Sequence, residues 1–126
     1  MPNDPPLHPP VRSLANRARG AYGERRAAEW YVAHGYVVLD RNWRSGRLGE
    51  LDLVLGNGQV VVFCEVKARA NDAYGGGAEA VTRTKQRRLR QLAAAWLAAH
   101  DRRGVQARFD VVSVTGTDVE VYQEAF

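Results

Sequence analysis

The sequence predicts an α/β protein: one mixed β-sheet flanked by helices, in the order α-β-β-β-α-β-β. Three observations carry that prediction. Two segments place apolar residues at helical spacing, one ahead of the strands and one around Trp96. Five short runs are rich in valine and aromatic residues, as strands are. Helix and strand patterns alternate along the chain, which suggests helices packed on a sheet.

The elements follow in order. All five prolines lie in the opening "MPNDPPLHPP". Such a stretch enters neither helix nor sheet, and residues 1–12 read as a disordered tail ahead of a single domain over 13–126. "GAYGERRAAEWYVAHGY" predicts a helix over 21–34, with Gly35 as the stop just past its end. "YVVLDRNW", "GELDLVL" and "QVVVFCEVK" are three strands, the last two joined by "GNG". "NDAYGGGAEA" is a loop made pliant by Gly75, Gly76 and Gly77. A helix over 79–100 follows, and "RFDVVSV" and "VEVY" close the chain around "TGTD".

The totals narrow the class. A chain of 126 residues has length for one real core. No apolar run approaches the roughly 20 residues that cross a bilayer, so no membrane association is expected. The start lacks a basic segment followed by an apolar one, so it is not a secretory signal. Cys64 is the only cysteine, which excludes an internal disulfide and a cysteine metal cage. In an apolar strand it reads as a small core residue. These features point to the cytoplasm. A net charge of +4 suggests an anionic partner, nucleic acid first.

The run "VVVFCEVKAR" raises the question of function. Its apolar half leads directly into Glu65 and Lys67, and a charge withdrawn from water costs several kcal/mol unless paired or bound to a metal. Asn-Gly is a strong hairpin signal. With Asn57 and Gly58 at the centre of a two-residue turn, Leu55 faces Val60, Leu53 faces Val62 and Leu51 faces Cys64, an apolar side. On the other side Asp52 faces Phe63 and Glu50 faces Glu65. A three-residue loop sorts polar from apolar poorly and is rejected. The preferred register gathers Glu50, Asp52, Glu65 and Lys67 at one end of one face. Three acids and one lysine do not neutralise each other, and a divalent cation would resolve the conflict.

Both helices aim a charge at the same region. At about 100° per residue, Glu24 shares its face with Gly20, Ala27, Ala28 and Tyr31, the stripe that should pack on the sheet. The second helix has an apolar stripe of Val81, Leu89, Leu92, Trp96 and Ala99, and Lys85 falls within it. Lys85 is thereby placed to reach a phosphate or the acidic cluster, unless it only snorkels to water. Arg83, Arg87 and Arg90 form the opposite, solvated face, a strip suited to a nucleic-acid backbone.

Glu24, Asp52 in "GELDLVL" and "EVK" at 65–67 resemble the PD-(D/E)xK nuclease constellation, with Leu51 where the literal motif has proline. Over 21–126, "GRLGELDLVL…VVVFCEVKAR…AVTRTKQRRLRQLAAAWL…RFDVVSV…EAF" resembles the YraN family of bacterial proteins, related in fold to archaeal Holliday-junction resolvases. The resemblance implies a restriction-endonuclease-like core and metal-dependent hydrolysis of phosphodiester bonds in DNA, branched or single-stranded forms included. It implies that Asp52 and Glu65 ligate Mg²⁺ or Mn²⁺, that Glu24 completes the shell, and that Lys67 handles the attacking water or the developing charge. Lys85 and Arg69 would hold phosphate, and Glu50 is a weaker candidate. Related junction enzymes dimerise, which leaves a homodimer open. A nucleic-acid-binding module without turnover, and a protein whose acids are merely solvated, are the rival readings.

Overall fold

In the computed structural model of the chain, residues 11–70 and 81–126 are described. The predicted order holds: α1 (Val11–Ala33), β1 (Val37–Arg44), β2 (Glu50–Asn57), β3 (Val60–Arg69), α2 (Arg83–Ala99), β4 (Gln106–Thr115) and β5 (Asp118–Tyr122). The expected tail over residues 1–10 and the Gly75–Gly77 loop lie outside the described residues. The strands form one sheet in the order β1-β2-β3-β4-β5. Among the described residues only β3 and β4 run parallel, joined through α2; the other three pairings are antiparallel. Among the described residues no helix is long and apolar enough to cross a membrane.

The sheet separates two cores. On one side Ala27, Ala28 and Tyr31 of α1 pack against Leu53, Leu55, Val62, Cys64, Val112 and Val114. On the other, Leu89, Leu92, Ala93 and Trp96 of α2 pack against Val54, Val61, Phe63, Phe109 and Val111. The apolar runs of β3 and β4 are covered on both faces, which is why they read as nearly continuous rather than alternating. Cys64 is a buried core residue, as expected.

α1 starts ten residues before the expected 21–34 span, at Val11. The segment after the last proline carries good helix formers, and one glycine at position 20 costs only about 1 kcal/mol. Its end follows expectation. Gly35 takes φ +89, the Tyr36 N–H donates to the Tyr31 carbonyl at 2.9 Å, and the Gly35 N–H donates to that of Val32 at 3.2 Å. This double bond pattern closes the helix through a left-handed glycine.

α2 begins at Arg83, not at residue 79. Thr82 caps it, its hydroxyl accepting from the Lys85 N–H at 3.2 Å. Ala99, expected in the apolar stripe, is exposed because the helix ends there.

The hairpin turn sits one residue further along than expected. Asn57 pairs with Val60, so Gly58 and Gln59 are the central residues, and Gly58 takes φ +57. Glycine accepts that conformation without strain at the first central position, and Asn57 is released to join the ladder. The pairs become Leu55 with Val62, Leu53 with Cys64 and Val54 with Phe63. The shift leaves Leu53, Val54, Leu55, Val61, Val62, Phe63 and Cys64 on their expected faces, whereas Glu50 and Asp52, expected on the side of Val54 and Phe63, meet Glu24 of α1. Leu51 is also an exception: it joins the α2-side core although Leu53 and Leu55 face α1. The ladder stops at Leu53 and Cys64, and there the Val66 N–H donates to Asp52 Oδ2 at 2.9 Å instead of to a strand carbonyl.

α1 lies very close on the end of β3. A Cβ built on Gly23 would stand 2.7 Å from Ala68 Cβ. Gly23→Ala is therefore expected to lower stability by on the order of 1–2 kcal/mol, overpacking outweighing the gain in helix propensity. Urea unfolding measures this, and an unchanged midpoint would show that α1 is free to retreat.

Candidate metal centre

The opened end of the β2–β3 hairpin is where the charged residues meet. α1, held against β3 by Gly23, brings Glu24 over this end. One carboxylate oxygen from each of Glu24, Glu50 and Asp52 lies within 4.8 Å of the others, and all three residues are half-buried. Burial and the negative charge of Glu65 push the Asp52 carboxyl up to about 7, with smaller contributions from Glu24 and Glu50; the Val66 N–H acts in the opposite sense. Four acids thus act on one another at this point.

Glu65 is not one of the converging three. Its carboxylate is held by Lys85, Nζ to Oε1 at 2.6 Å, with 12% of the Glu65 side chain and 45% of the Lys85 side chain exposed. The lysine reaches the acidic cluster, one of the two destinations its place in the apolar stripe suggested. Glu50, the weaker candidate from sequence, takes the third place beside Glu24 and Asp52 and also accepts from Arg44 Nε at 3.1 Å. Extending the observed register would set Asp52 opposite Glu65 and Glu50 opposite Lys67, which is why one turn residue matters here.

Lys67 and Arg69 follow on β3, both half-buried. Arg69 lines a shallow hollow with Arg19 and Tyr22 between α1 and β3. Arg83, Gln86, Arg87 and Arg90 line another along α2. Arg83, Arg87 and Arg90 are exposed, as expected, and Arg90 also meets two rings. Its guanidinium lies 4.8 Å from the centre of the Phe109 ring and 5.6 Å from that of Phe126, since an aromatic face attracts a cation.

The donor set suits a hard divalent ion. Three carboxylates supply oxygen only, which fits Mg²⁺ or Mn²⁺ and not a soft metal. Burial and the charge of Glu65, with smaller contributions from Glu24 and Glu50, raise the Asp52 carboxyl, and that conflict is one a cation would relieve.

The segment 23–114 matches the model of a family described as "Uncharacterised protein family UPF0102". The chain belongs to UPF0102. It is 53% identical over 103 residues to a UPF0102 protein of Beutenbergia cavernae, covering 82% of this chain and 86% of that one. It is 50% identical over 101 residues to a UPF0102 protein of Frankia casuarinae, covering 80% and 85%. It is 50% identical over 99 residues to a UPF0102 protein of Rhodococcus opacus, covering 79% and 83%. UPF0102 is the YraN family of the sequence resemblance. The UPF0102 match spans Glu24, Glu50, Asp52, Glu65, Lys67 and Lys85.

Proposed function

We propose that the protein is a metal-dependent endonuclease that hydrolyses phosphodiester bonds in DNA, branched or single-stranded forms included, and acts in the cytoplasm. The convergence of Glu24, Glu50 and Asp52, with Glu65 close enough to act on Asp52 and itself paired to Lys85, carries this reading. Mg²⁺ or Mn²⁺ held there would lower the pKa of a bound water and offset charge on the phosphoryl oxygens.

The chain's own groups do the rest. Asp52 is held in place by the Val66 N–H, and the burial and neighbouring charge that raise its carboxyl to about 7 in the metal-free site are what a bound cation would offset. Glu24 and Glu50 supply further oxygens, and Glu65 adds one when Lys85 gives it up. Lys67 orients the attacking water or stabilises the negative charge that develops on phosphate. Arg69 and Lys85 hold neighbouring phosphates, and the strip of Arg83, Arg87 and Arg90 tracks the strand backbone by charge.

The test is purified protein with Mn²⁺ on linear duplex, single-stranded, flapped and four-way DNA. Cleavage that chelation abolishes is expected. Salt-dependent binding with no cleavage in Mg²⁺ or Mn²⁺ would favour the binding-module reading, which the basic strip of α2 serves equally well.

A further inference from the structure

We propose that Lys85 is a positioning residue that competes with the divalent cation for the Glu65 carboxylate, an inference that rests on the metal-centre reading above. Two observations lead to it. The acid expected from the motif to ligate metal is the one turned to a lysine, at 2.6 Å. The three acids that converge are the others. A carboxylate has few lone pairs to share, and a short charge-assisted bond to ammonium occupies one of its oxygens.

The placement of Lys85 is built into the helix start. The Thr82 hydroxyl accepts the Lys85 backbone N–H at 3.2 Å, which fixes the first turn of α2 above the end of β3. Glu65 is mostly buried and Lys85 half-exposed. The acid is therefore held in the site while the lysine has room to leave it. In the paired state Lys85 supplies the positive charge that Glu65 needs in the absence of metal. Were a cation to take Glu65, the ammonium of Lys85 would be left beside the site, where it could meet a phosphate. Binding of metal and exposure of a phosphate-binding charge are in this way one event.

Calorimetric titration with Mn²⁺ alone tests this without reference to activity. Lys85→Met is expected to bind Mn²⁺ about three- to tenfold more tightly than wild type, the range a partly exposed ion pair allows. Glu65→Gln is expected to bind more weakly. The double variant decides the cause: with Glu65 removed, Lys85→Met should add nothing. A gain that persists in the Glu65→Gln background would reduce Lys85 to a general field effect and overturn the competition. So would a Lys85→Met affinity equal to or weaker than wild type while Glu65→Gln still weakens binding, an outcome that leaves the metal centre standing. No Mn²⁺ binding in any variant would overturn both readings. Lys85→Arg keeps a cation on Glu65 and should keep wild-type affinity. Circular dichroism of each variant controls for folding.

Discussion

Asp52→Asn is expected to abolish metal-dependent cleavage while making the metal-free protein more stable at pH 8. Loss of a ligand should lower cleavage by at least about 100-fold. The stability gain follows from the raised Asp52 carboxyl, about 7 in the fold against an ordinary value of 3.8. Below about pH 4 the group is protonated in folded and unfolded chains alike, and it contributes nothing. Between about pH 4 and 7 the unfolded chain has released this proton and the folded chain retains it, so stability falls as pH rises. Above about 7 the full cost remains, on the order of 2–4 kcal/mol once partial exposure is allowed for. Asparagine carries no charge and still accepts the Val66 N–H. Urea unfolding should show the variant ahead of wild type at pH 8 and level with it at pH 4. Added Mn²⁺ should restore wild type and leave the variant unchanged. A variant less stable than wild type at pH 8 would mean that the acids are not crowded.

Asp110→Ala is expected to cost about 3–5 kcal/mol, a large part of the 5–15 kcal/mol that holds a typical domain together. Asp110 is 0% exposed on β4. It takes a two-pronged bond from Arg108, Nε and Nη2 each at 2.9 Å, a bond from the Tyr31 hydroxyl at 2.6 Å, and the Glu124 N–H at 3.1 Å. Burial, with Cys64 and Asp110 nearby, pushes the Tyr31 phenol well above its usual range, so it remains a donor at any working pH. Removing the acid takes the charge partner from a mostly buried guanidinium, which keeps only its bond to the Tyr36 hydroxyl at 3.0 Å, and leaves the Tyr31 hydroxyl and the Glu124 N–H without their carboxylate acceptor. A fall in Tm of more than about 10 °C is expected. Tyr31→Phe leaves the Arg108 pair intact and should cost only about 1–2 kcal/mol. Similar melting for Asp110→Ala and wild type would show that water takes the place of the acid.

Much of this architecture is legible in the residues because local and global signals agree. The strand runs, the Gly35 stop and the placing of Glu24 over the sheet all follow from period and turn chemistry. The misreadings share a cause: they depend on choices among locally similar options. Both Asn57-Gly58 and Gly58-Gln59 make plausible turns, and only the rest of the ladder selects one. The early part of α1 lacks an apolar stripe at its exposed residues, so nothing in its pattern announces a helix. Glu50 is only a weaker candidate in sequence; α1, brought close by a single glycine, makes it a partner of Glu24. Arg90 meets Phe126 through chain folding that no helical period encodes. Asp110 does leave a trace, an acid inside "RFDVVSV" with Arg108 two residues back on the same side of the strand, the same kind of signal that singles out Glu65.

Diffraction from a Mn²⁺-soaked crystal, collected to show the anomalous signal of manganese, addresses the metal centre most directly. A peak within coordination distance of oxygens from residues 24, 50 and 52 is the expected result. Well-ordered carboxylates there with no peak between them, at a Mn²⁺ concentration that labels other acidic surfaces, would contradict it.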